Sequence, residues 1–174
     1  MIVSTILALD KNMLVGKDDT LPWNEPIDMQ WFKRKTRHKA ILMGYRTYMG
    51  IGKPLPGRLN LVMASSEPEV PGATVVPDLY DATQAAKKHH YNELVICGGP
   101  SLYNRYILSV DKIYLTVLEN EYEGNVYLKN DVIAELMSIK SKETLTESGF
   151  VLEDIRTVEG VGQFKIFTRV RRPL

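Results

Sequence analysis

The chain has 174 residues, 44% of them apolar and 25% charged, with a formal net charge of +1. That is enough for one domain with a sizeable core, and it excludes a global field aimed at nucleic acid or an anionic membrane. The single cysteine, Cys97, excludes an internal disulfide and, with His38, His89 and His90 in no metal-ligand spacing, a zinc site.

Ile2 to Leu9 is a β-branched, nearly continuous apolar run, the pattern of a strand buried on both faces. It has no basic leader, and no later run approaches a membrane span. A cytoplasmic monomer or small oligomer is therefore expected. Asp10 to Leu21 follows as a long polar connection holding Asn12, Gly16, Asp18 and Asp19, a length that is uncommon unless the loop works, often as a lid. A helix starts near Pro26, with Asn24 or Glu25 at the N-cap and Asp28 in the first turn. Lys39 to Gly44 reads as strand and runs into a helix start at Gly44 to Met49. Gly50 to Arg58 is a Gly- and Pro-rich loop, followed by strands at Asn60 to Ala64 and Ala73 to Val76. Leu79 to His90 reads as an amphipathic helix closed by two histidines, Glu93 to Cys97 as strand, Ser101 to Leu108 as helix and Lys112 to Leu118 as strand. The signal then weakens, with a short helix at Val132 to Ser138. Phe150 to Arg156 and Gln163 to Val170 flank a hairpin turn at Glu159-Gly160-Val161-Gly162. Strands alternate with helices until a closing antiparallel hairpin. This is an α/β domain, 1–174, with a mainly parallel central sheet of about eight strands and flanking helices.

Asp28 is the residue that stands out. Its neighbours at i+3 and i+4 are Trp31 and Phe32, so no intrahelical ion pair explains the carboxylate. It either decorates the first turn or points into an apolar pocket, where desolvation raises its pKa toward proton chemistry near neutrality. Two strand ends run directly into helices through glycine, at Met43-Gly44 and Cys97-Gly98-Gly99. Such turns let backbone approach a nucleotide at the carboxyl edge of the sheet. A P-loop is excluded, since Thr47 replaces its first glycine and Pro54 its hydroxyl residue. No Gly-x-Gly-x-x-Gly follows the first strand, and Cys97 has no motif that would lower its pKa.

Taken as an ordered set, Leu9-Asp10 through Gly16, Leu21-Pro22-Trp23, Pro26-x-Asp28-x-x-x-Phe32-x-x-x-Thr36, Met43-Gly44-x-x-Thr47, Ile51-Gly52-x-Pro54-Leu55-Pro56-Gly57-Arg58-x-Asn60, Gly98-Gly99-x-x-x-Tyr103 and Tyr114-Leu115-Thr116 resemble the dihydrofolate reductase family. The match is dense over 1–66 and 93–126 and thinner beyond. The resemblance implies a dihydrofolate-reductase-like fold and NADPH-dependent reduction of dihydrofolate, with hydride added at pterin C6 and a proton at N5. Asp28 would be the only acid in the pterin pocket, sharing a network with Thr116, and water near Leu21 and Trp23 would carry the proton. Ile6 and Cys97 would offer carbonyls to the pterin beside Ala8. Met29, Phe32, Ile51 and Leu55 would line the benzoyl slot, and Arg58 would pair with the substrate glutamate. The cofactor would touch Ala8, Val15, Gly16 and Leu21, then Gly44, Tyr45, Arg46 and Thr47, then Ser65 and Ser66. It would also meet Cys97 and the run Gly98, Gly99, Pro100, Ser101, Leu102 and Tyr103, with the Gly98–Gly99 peptide cis. Gly16 to Leu21 would be a lid docked on Gly124-Asn125.

Five places depart from the family's usual pattern. Tyr45 stands where many relatives carry Arg, Ala64 replaces a hydroxyl residue, Pro77 lies near a position often basic, Asn125 replaces an Asp, and Tyr127-Leu128 stands where an aromatic–Pro pair is usual. The first three thin the site for the 2′-phosphate, so NADH is expected as a weaker donor beside NADPH. Two other functions fit the fold. A pyrimidine reductase of riboflavin synthesis is opposed by Asp28, Phe32 and Arg58; a non-catalytic folate- or nucleotide-binding module is opposed by Asp28, Leu21-Pro22-Trp23 and Thr116.

Overall fold

The computed structural model describes residues 1–66 and 69–170. Strand β1 (Ile2–Leu9) lies in the interior of the sheet, with Ile6, Leu7 and Leu9 buried on its two faces and the small polar Ser4 and Thr5 buried with them. A short β2 (Leu14–Gly16) leads to α1 (Pro26–Thr36), then β3 (Ala40–Gly44), α2 (Tyr45–Ile51), β4 (Leu59–Met63), β5 (Thr74–Val76) and α3 (Leu79–Lys88). The chain continues with β6 (Glu93–Ile96), α4 (Pro100–Tyr106), β7 (Lys112–Leu118), β8 (Val126–Tyr127), α5 (Asp131–Ser138), β9 (Phe150–Val158) and β10 (Gly162–Arg169). The main sheet has eight strands in the order β5-β4-β3-β6-β1-β7-β10-β9. All neighbours from β5 to β7 pair in parallel, and β10 and β9 close the edge antiparallel.

Period-two alternation divides the core. Leu7, Leu9, Leu42, Ile96 and Leu115 face α3, α4 and α5, and Ile6, Ile41, Met43, Val95 and Tyr114 face the side that carries Trp31 of α1 and Tyr48 of α2. Helix α1 begins as its sequence dictates. The Glu25 carboxylate accepts the N–H of Ile27 at 3.2 Å, Pro26 takes the first helical position, and Lys33, Arg34 and Lys35 fill the last turn. One contact on the other face is unusual. Lys165 of β10 is fully buried and donates to the carbonyls of Leu136 (3.3 Å), Met137 (2.8 Å) and Ile139 (2.5 Å), capping α5 from the sheet.

The structure corrects the sequence reading in places. The connection from Asp10 to Leu21 contains β2, which pairs with the two residues of β8 in a separate ribbon. Helix α3 stops at Lys88, with His89 as its cap and His90 at φ +64°, because the left-handed turn needed to reach β6 ends the helix. Helix α4 runs from Pro100 to Tyr106 and leaves Leu108 exposed, and β6 ends at Ile96 rather than Cys97.

Candidate functional site

The carboxyl ends of β1, β3, β6 and β7 lie side by side, and α1 crosses one face above them. Ala8 of β1 sits opposite Thr116 of β7 in the parallel register. The first turn of α1 brings Asp28 onto this pair, and the Thr116 hydroxyl donates to Asp28 Oδ1 at 2.9 Å. Asp28 is 7% exposed, so the carboxylate does not decorate the surface. Burial pushes its pKa above the ordinary carboxylate range; the Thr116 hydroxyl pulls it down, the Glu25 carboxylate raises it and the Trp23 indole lowers it. The Trp23 N–H is buried and bonded to no acceptor among the described residues, although it lies near enough to Asp28 to favour the ionised form. Met29 beside Asp28 on α1 and Leu21 in the loop leading into α1 are left exposed, as are Tyr45, Met49 and Ile51 on α2. Exposed apolar side chains next to a buried polar group are the make-up of a small-molecule site.

Arg58, in the loop before β4, is tied to the end and the outer face of α1. Its Nε donates to Thr36 Oγ1 at 2.9 Å and Nη1 to the Pro56 carbonyl at 2.7 Å, which leaves Nη2 uncommitted to these anchors. Its guanidinium carbon lies 6.0 Å from the centre of the Phe32 ring. Asn60, buried in β4, holds the preceding turn by accepting the Leu55 N–H at 2.9 Å and donating to the carbonyls of Leu55 (2.9 Å) and Arg58 (3.2 Å). A buried amide in a strand is a cost unless it is bonded in this way.

Past the ends of β3 and β6 the two glycine turns meet. The Gly44 N–H donates to the Gly98 carbonyl at 2.9 Å, and the Gly98–Gly99 peptide is cis. A Cβ on Gly99 would lie 3.0 Å from Thr47 Oγ1; one on Gly98 would lie 3.1 Å from the Tyr103 hydroxyl, at a φ of +123° that side chains avoid. The result is a floor of bare backbone between β3 and β6. The Tyr103 hydroxyl passes beneath it to donate to the Ile6 carbonyl at 2.8 Å. Burial pushes the Cys97 thiol well up, so it is no nucleophile. Ser65 and Ser66 stand exposed beyond β4, and Arg46 is exposed on α2.

The loop from Gly16 to Leu21 is held on both sides. The Asp18 N–H donates to Asn125 Oδ1 at 2.7 Å, Asn125 Nδ2 donates back to Asp18 Oδ1 at 2.9 Å, and the Asn125 N–H reaches the Gly16 carbonyl at 3.2 Å. Across the cleft the Asp19 carbonyl comes so close to Gly50 that a Cβ there would lie 2.5 Å from it. The loop thus spans from the β8 segment to the end of α2.

Comparison with known proteins agrees with this arrangement. A family model described as "Dihydrofolate reductase" matches residues 2–149. The chain belongs to the dihydrofolate reductase family. It is 39% identical over 124 residues to the dihydrofolate reductase of Bacillus subtilis, covering 71% of this chain and 73% of that one. It is 38% identical over 128 residues to a dihydrofolate reductase type 3 from Salmonella typhimurium, covering 73% and 78%. A structure of dihydrofolate reductase from Enterococcus faecalis complexed with NADP(H) and RAB-propyl superposes with a TM-score of 0.79 at 24% identity, covering 97% of this chain and 96% of that one.

Within this dihydrofolate reductase fold, the residues picked out in the sequence fall into three groups. Ile6, Ala8, Asp28 and Thr116 surround one point, Arg58 is anchored at the far end beyond Leu55, and Gly44, Thr47, Gly98, Gly99 and Tyr103 form the bare floor. Val15 and Gly16 arrive on β2, which pairs with β8. Sequence reasoning missed the clamp made by Asn60. An amide inside an apolar run was the available signal for it.

Proposed function

We propose that this chain reduces 7,8-dihydrofolate to tetrahydrofolate with NADPH, and that Asp28 both grips the pterin and governs the accompanying proton. The observation that carries this reading is the Asp28 carboxylate, buried in the first turn of α1 and bonded to Thr116. With Oδ1 engaged by Thr116, the rest of the carboxylate can accept from the pterin 2-amino group and N3. The raised pKa keeps a protonated fraction closer to neutrality, where the proton destined for N5 can be handed on by water beside Leu21 and Trp23. The carbonyls of Ile6 and Cys97 orient the ring, and Met29, Phe32, Ile51 and Leu55 enclose the benzoyl group.

The bare floor fits a dinucleotide, because backbone without side chains permits close approach. Ala8, Val15, Gly16, Leu21, Gly44 to Thr47, Ser65, Ser66 and Cys97 to Tyr103 would hold NADPH there. When bound, it supplies the hydride that adds to pterin C6. Leu21 and the latched loop exclude bulk water from that face. Arg46, Ser65 and Ser66 remain to meet a 2′-phosphate, while exposed Tyr45 offers a ring to adenine. The protein acts as a monomer in the cytoplasm.

An absorbance assay with dihydrofolate and each reduced nicotinamide tests the activity. Both donors should support turnover, with kcat/KM favouring NADPH by only roughly ten- to a hundredfold, since one charged contact to the phosphate is thinned. No turnover with either would overturn the reading, and a preference of several thousandfold would refute the thin phosphate site. Arg58→Leu tests the outer end. Loss of a charge-assisted clamp should weaken dihydrofolate roughly thirtyfold or more, and a pteridine lacking glutamate hardly at all. Equal losses in titrations of the two ligands would remove Arg58 from substrate binding.

A further inference from the structure

Asp10 is completely buried, and among the described residues no cation pairs with it. It stands one residue beyond β1 and divides its oxygens between its own loop and Tyr122, 112 residues along the chain. Oδ1 accepts the N–H groups of Asn12 (2.9 Å) and Leu14 (3.0 Å); Oδ2 accepts the N–H of Tyr122 (3.1 Å). Burying a carboxylate is costly unless bonds of this kind replace its hydration. What the three donors gain is a fixed position for two loops that no main-sheet ladder holds. Leu14 opens β2, the root of the lid. Tyr122 lies between β7 and β8, and its ring packs on Trp23 with centroids 5.4 Å apart and planes at 57°. Trp23 is buried, and its indole N–H approaches the acid of the site.

We propose that Asp10 and Tyr122 are positioning residues for the reduction: Asp10 fixes the Tyr122 backbone, and the Tyr122 ring fixes the tilt of the Trp23 indole beside Asp28. The proposal rests on the roles given above to Asp28 and Trp23. A tyrosine ring is a wide, stiff buttress, since it carries few rotatable bonds. An aliphatic side chain in its place leaves the indole free to rock, and small misplacements at a reacting centre are expensive.

The test compares Tyr122→Leu, Tyr122→Phe, Asp10→Asn and Asp28→Asn as holoenzymes with NADPH, in single-turnover and steady-state measurements. Tyr122→Leu should slow the reductive step by roughly tenfold or more, with KM for dihydrofolate within about twofold of native. Tyr122→Phe keeps the ring and should restore the rate. Asp10→Asn should slow the same step, and the Asp10→Asn/Tyr122→Leu pair should be no slower than the worse single variant. In Tyr122→Leu the pH profile of the step should shift upward, because the indole no longer favours ionised Asp28. The other groups around that carboxyl, the Thr116 hydroxyl, Glu25 and the Tyr103 phenol, are unchanged. A folded Tyr122→Leu with native rate and profile overturns the proposal, as does a Tyr122→Phe equally slow. If Asp10→Asn does not fold, the two Tyr122 variants decide alone. A slow Asp28→Asn beside a native Tyr122→Leu defeats only the positioning role, whereas a native Asp28→Asn overturns the site reading and this proposal with it.

Discussion

Asp28→Asn should lower turnover at neutral pH by two orders of magnitude or more while leaving the protein as stable as before, or more so. The amide keeps an acceptor for Thr116, so the pocket retains its shape while the titrating group is gone. Loss of a positioned acid–base group costs roughly a hundred- to ten-thousandfold. The stability side follows from the direction of the pKa shift. Burial raises the folded-state value above that of the unfolded chain, so the folded state holds its proton to higher pH. Any stabilisation tied to that proton is complete below the unfolded value and is lost as pH rises through the folded one. Above the folded-state value the ionised Asp28 is therefore a burden on folding that Asn removes. Thermal melts and a steady-state assay on the same preparation check both halves. Unchanged turnover would remove Asp28 from the mechanism, and a large drop in melting temperature would make it a structural residue.

A second large effect is expected far from the cleft. Lys165→Met takes the donor away from three carbonyls at the end of α5 and should cost about 2 kcal/mol at pH 7. Burial, reinforced by Lys140, brings the Lys165 ammonium down to about 8. Between that value and the ordinary lysine range the unfolded chain keeps a proton that the folded one has released, so this group makes stability rise with pH. Cys97, Tyr103 and Tyr114, all pushed up by burial, act in the opposite sense over alkaline pH and would mask the rise in the native protein alone. The difference between native and Lys165→Met isolates it. That difference should widen by about 1 to 2 kcal/mol from pH 7 to pH 10 in urea unfolding. A constant difference would mean that Lys165 is charged throughout.

What could be read in the sequence was whatever depends on neighbours in the chain. Glu25, Pro26 and Asp28 announce the start of α1 because capping is a matter of adjacent residues, and the apolar run of β1 announces its burial. The alternation of elements was enough for the eight-stranded sheet and its closing hairpin. Contacts that close over long separations were not legible. β8 is two residues long and exists only because β2 pairs with it, and neither stretch carries a strand signal of its own. Asp10 looked like the first polar residue of a loop, since nothing nearby reveals that its partner is the Tyr122 backbone. In the site the ordered motifs marked Asp28, Thr116 and Arg58, but the anchors that aim them, Thr36 and Asn60, show their purpose only in three dimensions.

The paired bonds between Asp18 and Asn125 are exposed, and hydrogen bonds open to solvent are worth about 1 kcal/mol each. With the Asn125 N–H to Gly16 bond beside them, these bonds favour the docked loop by only about 3 kcal/mol, so thermal motion can release it. Asn125 is an amide, so the carboxylate of Asp18 meets no opposite charge there for salt to screen. The tempo of opening should therefore depend only weakly on ionic strength, even where binding of the anionic reactants weakens.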